Sequence, residues 1–84
     1  MQIVRSDEFK AAYRRLTKDE QKQVAAKLGL FVSNPRYPSL QAKRWRGNQW
    51  YFRVTSSIRL YYRMHAGERC ELITVGHHDI ERSR

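Results

Sequence analysis

The sequence predicts an α+β domain in which an N-terminal helical hairpin packs on a mainly antiparallel four-stranded sheet. Two observations carry this expectation. Apolar residues recur at helical spacing from Phe9 to Val32, and from Trp50 onward they fall on every second residue. Each helical stretch also opens on a capping signature: Ser6 ahead of Asp7 and Glu8, then Thr17 with Glu20 three positions on. The chain has 84 residues, room for a single domain spanning 1–84. A chain of this size buries roughly 60–65 % of the surface its unfolded form exposes, enough for one core with little to spare.

In chain order, Gln2 to Arg5 reads as a short opening strand. Ser6 caps a first helix whose first turn holds Asp7 and Glu8, where the helix dipole favours acids. Its apolar face is Phe9, Ala12, Tyr13 and Leu16. Thr17 caps a second helix carrying Val24, Ala25, Leu28, Phe31 and Val32 on one side. Asn34-Pro35 ends it, because the residue before a proline is pushed out of helical geometry. Gly29 in its middle costs up to about 1 kcal/mol, an expense that close packing would explain.

Pro35 to Gln41 is a loop by its two prolines, and a basic segment, Lys43-Arg44-Trp45-Arg46, follows before Gly47. Trp45 is expected to anchor this segment to the body rather than to stack on a ligand. Trp50, Phe52 and Val54 then alternate with Tyr51, Arg53 and Thr55; Ile58, Leu60 and Tyr62 alternate with Arg59, Tyr61 and Arg63. A hairpin closing at Thr55-Ser56-Ser57 pairs Val54 with Ile58, Phe52 with Leu60 and Trp50 with Tyr62, so the two dry faces coincide. Ala66-Gly67 makes a second turn and Cys70 to Val75 the last strand.

The charge pattern is the strongest pointer to function. Lys and Arg number 17 against 8 Asp and Glu, a formal net charge of +9. From Gln21 to Gly67 no acidic residue occurs, while that stretch holds Lys22, Lys27, Arg36, Lys43, Arg44, Arg46, Arg53, Arg59 and Arg63. Compacting such a stretch concentrates its self-repulsion, which a polyanion relieves, and phosphate is the usual one. No apolar run approaches the ~20 residues needed to cross a bilayer, and the one cysteine, Cys70, has no internal partner. The expectation is a cytoplasmic protein with no membrane partner.

The register places Arg53 opposite Arg59 on the wet face, where like charges destabilise a strand pair unless an anion lies between them. Tyr61 and Arg63 share that face, preceded in sequence by Lys43, Arg44 and Arg46. Cations interleaved with aromatic rings describe an RNA-binding surface. Beyond the last strand come Gly76, His77, His78 and Asp79. Histidine suits proton transfer near neutral pH, and RNA cleavage by its own 2′-hydroxyl needs a base and cations, without metal or protein nucleophile. A metal site built from His65, Cys70, His77, His78 and Asp79 matches no familiar ligand spacing, so no metal and no cofactor is expected.

The order of these parts is similar to the RelE/ParE toxin superfamily. The resemblance rests on the strand-helix-helix opening, the basic segment with Gly47, Tyr51-Phe52-Arg53-Val54, Ile58-Arg59-Leu60-Tyr61-Tyr62 and the closing Val75-Gly76-His77-His78-Asp79. It implies a RelE-like fold and the toxin of a toxin–antitoxin pair, a ribosome-dependent endoribonuclease acting on mRNA. It implies as partners a cognate antitoxin, with an acidic segment, and the ribosome with its mRNA. By position it carries phosphate contact to Arg53 and Arg59 and ribosomal-RNA contact to Lys43, Arg44 and Arg46, while Arg63 joins the RNA-binding set from its place on the wet face; the proton-transfer role falls to His77, His78 or Tyr61. The tyrosine that many active members carry after the closing signature is missing, since Glu81-Arg82-Ser83-Arg84 follows. That departure keeps two alternatives open, a ParE-like inhibitor that binds DNA gyrase and a catalytically silent relative.

Overall fold

The computed structural model describes residues 1–77. Strand β1 (Gln2–Arg5) leads into helices α1 (Asp7–Arg14) and α2 (Lys18–Ser33), then a 3-10 turn (Pro38–Leu40) and strands β2 (Lys43–Arg46), β3 (Gln49–Arg53), β4 (Ile58–His65) and β5 (Arg69–His77). The sheet is five-stranded, in the order β1-β5-β4-β3-β2, with β1 parallel to β5 and every other pairing antiparallel. The four-stranded expectation therefore falls one short. The basic segment before Gly47 is an edge strand, not the end of a loop. Its two-residue turn, Gly47-Asn48, is closed by Gly47 at φ 52°, a left-handed conformation open to glycine at no steric cost.

Both helix starts form as their sequences dictate. The Ser6 hydroxyl accepts from the Phe9 N–H at 3.0 Å and donates to the Ile73 carbonyl at 2.8 Å, so the cap of α1 is also its tether to β5. Ile73 is the extra residue of a β-bulge: Tyr61 pairs with Thr74, but Tyr62 pairs with Leu72. At α2 the full capping box is present, with Glu20 N–H to Thr17 Oγ1 at 3.1 Å and Thr17 N–H to Glu20 Oε1 at 2.9 Å. The two helices are laced at their junction by Tyr13 Oη donating to the Gln21 carbonyl at 3.2 Å and Gln21 Nε2 donating to the Tyr13 carbonyl at 2.9 Å.

The helices cover one face of the sheet. Phe9, Ala12 and Leu16 of the first helical segment and Val24 and Phe31 of α2 meet Phe52, Val54, Ile58, Leu60, Tyr62, Cys70, Leu72 and Val75 in one core. The inward face of α2 is narrower than its apolar pattern suggests, because Ala25 is exposed and Val32 is 40 % exposed. Gly29 is exposed too, and a Cβ there would meet nothing within 4 Å, so close packing does not account for it. The β3–β4 register is as expected, with Trp50 opposite Tyr62, Phe52 opposite Leu60 and Arg53 opposite Arg59. Val54 N–H donates to the Ile58 carbonyl at 2.8 Å, and Thr55 Oγ1 accepts from the N–H groups of Ser57 and Ile58, which fixes the turn.

Candidate nucleic-acid interface

The face of the sheet away from the helices is built in rows, because residues directly opposite one another on neighbouring strands point the same way. One row is Arg53–Arg59–Gly76; the next is Lys43–Tyr51–Tyr61–Thr74; the third includes Gln49, Arg63 and Glu71. The Arg53–Arg59 juxtaposition expected from the alternation is thus present, and Gly76 adds no side chain beside it. The Arg59 guanidinium lies 5.0 Å from the centroid of the Tyr51 ring, a cation–π contact that holds it above the second row.

Below the cations runs a strip of rings. Tyr51 and Tyr61 are 5.5 Å apart between centroids, and Trp45 meets Tyr61 edge-on at 5.0 Å. The Arg46 guanidinium sits 4.9 Å from the Trp45 ring, so the strip carries an arginine at each end. Trp45 anchors the basic segment as expected, and it does so by covering Tyr61. This is why Tyr61, expected on a wet face, is only 3 % exposed. Tyr51, at the Arg59 end of the strip, was legible in the alternation with Arg53 but carried no distinguishing signal of its own.

The other candidates are dispersed. Lys43 is exposed and opposite Tyr51, at the edge of the strip. Arg44 lies opposite Trp50 on the helix-covered face, with its guanidinium 5.4 Å from the Trp50 ring, so it does not join the Arg53–Arg59 row. A bulge in β2 between Arg44 and Arg46 divides these cations between the two faces. Arg63 is on the expected face, but its Nη1 is 3.4 Å from Glu71 Oε1, which also takes the His65 ring at 3.0 Å. His77 ends β5 opposite Ile58, on the helix side, with Nε2 at 3.2 Å from Glu20 Oε2. His77 therefore faces away from the two arginines. Its partner lies in a helix far earlier in the chain, and no local signal could have announced the pair. His78 lies outside the described residues.

Two titrating groups are buried on the helix side. Loss of hydration pushes the Cys70 thiol up to about 12, with the neighbouring Glu71 charge adding to it. Burial likewise raises the Tyr62 phenol to about 12, with Cys70 contributing. Cys70 is a core thiol, as its mid-strand position suggested. Two grooves flank the helices. One, of about 410 Å³, has Phe9, Tyr13, Val24 and Leu28 for a floor and Arg5, Lys10 and Arg14 around it. The other, of about 580 Å³, lies beyond the end of α2 between the proline loop and Trp50. Neither groove is visible in a one-dimensional pattern.

No protein-family model matches the chain, and no curated protein matches its sequence. Solved structures do match. A YoeB/ParE toxin from Agrobacterium tumefaciens superposes with a TM-score of 0.76 at 20 % identity, covering 93 % of this chain and 99 % of that one. The toxin of the intact E. coli RelBE toxin–antitoxin complex gives 0.73 at 20 % identity, covering 90 % and 94 %. YafQ from E. coli gives 0.77 at 13 % identity, covering 94 % of each chain. The chain has the fold of these toxins.

Proposed function

We propose that this chain is a member of the RelE/ParE toxin superfamily and the toxin of a toxin–antitoxin pair, acting as a metal-independent endoribonuclease on ribosome-bound mRNA. The observation that carries the proposal is the Arg53–Arg59 row above the Tyr51–Tyr61–Trp45 strip. Two arginines across from each other repel, and a phosphodiester between them converts that repulsion into charge-assisted hydrogen bonds. The half-buried rings of Tyr51 and Trp45 offer stacking surface to the bases on either side of that phosphate. The fold shared with RelE and YafQ supports the same reading, and the RelBE and archaeal RelE-RelB complexes support an antitoxin partner.

In the proposed reaction the 2′-hydroxyl of the bound nucleotide attacks the adjacent phosphorus while a base takes its proton. The bond to the 5′-oxygen breaks, that oxygen receives a proton, and the products are a 2′,3′-cyclic phosphate and a 5′-hydroxyl. Arg53 and Arg59 stabilise the charge that builds on the phosphorane oxygens. Tyr61, under Trp45, is assigned the floor of the site. Lys43 and Arg46 flank the strip and take neighbouring phosphates; Arg63, shared with Glu71, contributes less. His78, by its place in the closing signature, is assigned the proton transfer, while His77 is paired with Glu20 on the other face of the sheet.

The test adds the purified protein to ribosomes programmed with a defined mRNA and an empty aminoacyl site, and maps the RNA ends by primer extension. Cuts at that codon are expected. Arg59→Ala should lower the cleavage rate by at least about 100-fold, the scale of losing one transition-state donor. Intact mRNA from folded protein would sink the endoribonuclease. One observation favours a second reading, a ParE-like inhibitor that acts by binding DNA gyrase: His77, the described histidine of the closing signature, is turned from the arginine row. A supercoiling assay with the Arg59→Ala protein separates the two, because gyrase inhibition would survive that substitution.

A further inference from the structure

The groove beyond α2 is on the opposite side of the sheet from the arginine row, and nothing in the proposed cleavage reaction uses it. Tyr37 and Met64 are unusually open for large apolar side chains, 43 % and 36 % exposed, and both face this groove together with half-buried Trp50. Its volume, about 580 Å³, lies within the ~300–1,000 Å³ typical of small-ligand pockets.

The loop that carries Tyr37 is held in place. Asn34 Oδ1 accepts from the Arg36 N–H at 3.1 Å, the Asn34 carbonyl accepts from the Tyr37 N–H at 3.0 Å, and Pro35 and Pro38 restrict the backbone on either side. Gln41, at the far end of the 3-10 turn, sits in the left-handed region at φ 51°, which side-chain-bearing residues rarely adopt. Its N–H donates to the Pro38 carbonyl at 3.1 Å, and Gln41 lines the groove.

The chemistry gathered here is that of base recognition. Tyr37 and Trp50 supply flat faces, the Gln41 amide supplies both a donor and an acceptor, and Arg36 and Arg44 supply positive charge. Arg44, just outside the lining, lies 5.4 Å from the Trp50 ring centroid, a cation–π contact that brings its charge to the edge of the groove. Among the described residues no carboxylate lines the groove, whose described lining lies within the acid-free stretch. We propose that this groove is a nucleotide pocket, taking one unstacked base of single-stranded or looped RNA between Tyr37 and Trp50, with its phosphate at Arg36 and Arg44. It rests on the reading of the chain as an RNA-directed protein. The pocket gives that protein a second hold on RNA, apart from the phosphate that is cut.

The experiment measures binding of labelled hexa-adenylate RNA, and of a base-free ribose–phosphate oligomer of the same length, to the full chain by fluorescence anisotropy. The Trp50 indole N–H is followed by NMR in parallel. Hexa-adenylate should bind about tenfold more tightly than the base-free oligomer and move the Trp50 signal. Tyr37→Ala should weaken hexa-adenylate binding roughly tenfold, the usual effect of losing one stacking ring, while Tyr37→Phe retains it. Tyr37 is exposed on a loop, so neither change endangers the fold. Equal binding of the two oligomers, or no response to Tyr37→Ala, overturns the pocket. A glutamate-rich peptide that moves the Trp50 signal where hexa-adenylate does not would make the groove a protein site and overturn it equally. Base-dependent binding through Tyr37 in a protein that leaves ribosome-bound mRNA intact would uphold the pocket while removing the cleavage reading.

Discussion

Tyr61 and Tyr62 are neighbours in β4, point to opposite faces of the sheet, and are almost equally buried, at 3 % and 5 % exposure. They reach that state by different means. Tyr62 is covered by α2, with the Phe31 ring 4.7 Å from its own, and lies within the continuous core. Among the described residues no helix lies above Tyr61; Trp45 from the edge strand and Tyr51 from the next strand close over it. One side of the sheet is dry because a second layer packs on it. The other is dry only along a strip one ring wide, with arginines at both ends. A surface of the first kind stabilises the fold, and one of the second kind sets cations around a narrow band of rings.

The difference can be broken from either side, and the two should respond unequally. Phe31→Ala removes the ring that joins α2 to Phe52 and Tyr62, and should cost about 3–5 kcal/mol in urea unfolding, a large part of the stability of so small a domain. Trp45→Ala opens the strip and should cost about 1–2 kcal/mol, since it forfeits one edge-on ring pair and partial burial. Equal losses would mean that the open face is as much a part of the core as the helix side.

Helix α2 sharpens the contrast within one element, since its inner face is packed and its outer face is not. Gly29→Ala places a methyl group in open space and removes backbone freedom from the unfolded chain, so it should stabilise the protein by up to about 1 kcal/mol. Destabilisation in thermal unfolding would show that the outer face is covered after all.

The smallest effect concerns the first turn of α2. The Glu20 carboxyl is held below its ordinary 4.5, chiefly by the Thr17 N–H, with burial opposing and His77 and the Thr17 hydroxyl assisting. A carboxyl whose folded pKa is depressed contributes stability that is complete above 4.5 and fades as pH falls through the lowered value. Glu20→Gln keeps an acceptor for the Thr17 N–H but loses the charge. Its deficit in thermal unfolding should therefore be widest at neutral pH and close below pH 4.5. A constant deficit would assign the residue's role to hydrogen bonding alone.

Much of this architecture is written locally. Caps such as Ser6 and Thr17 act over three residues, and the alternation from Trp50 to Arg63 fixes both the faces and the hairpin register. The candidate site was legible to the same depth: Arg53 opposite Arg59 follows from a two-residue period and one turn. Lys43–Arg46 was not legible as a strand, because four residues with three charges show no dry side. Its pairing with β3 is decided by the Gly47 turn and by the landing of Trp45 on Tyr61.

Composition and short-range periodicity determined the class of fold, the helix starts, the central register and the excess of positive charge. Tertiary structure alone decided which cations share a face. The bulges in β2 and β5 insert residues that no alternation forecasts, and each changes where the following side chains point. Arg44 went to one side and Arg46 to the Trp45 ring for that reason, and His77 met Glu20 instead of the arginines. Sequence spacing sets the direction of a side chain only while the ladder is regular; past a bulge, contact with distant elements decides it.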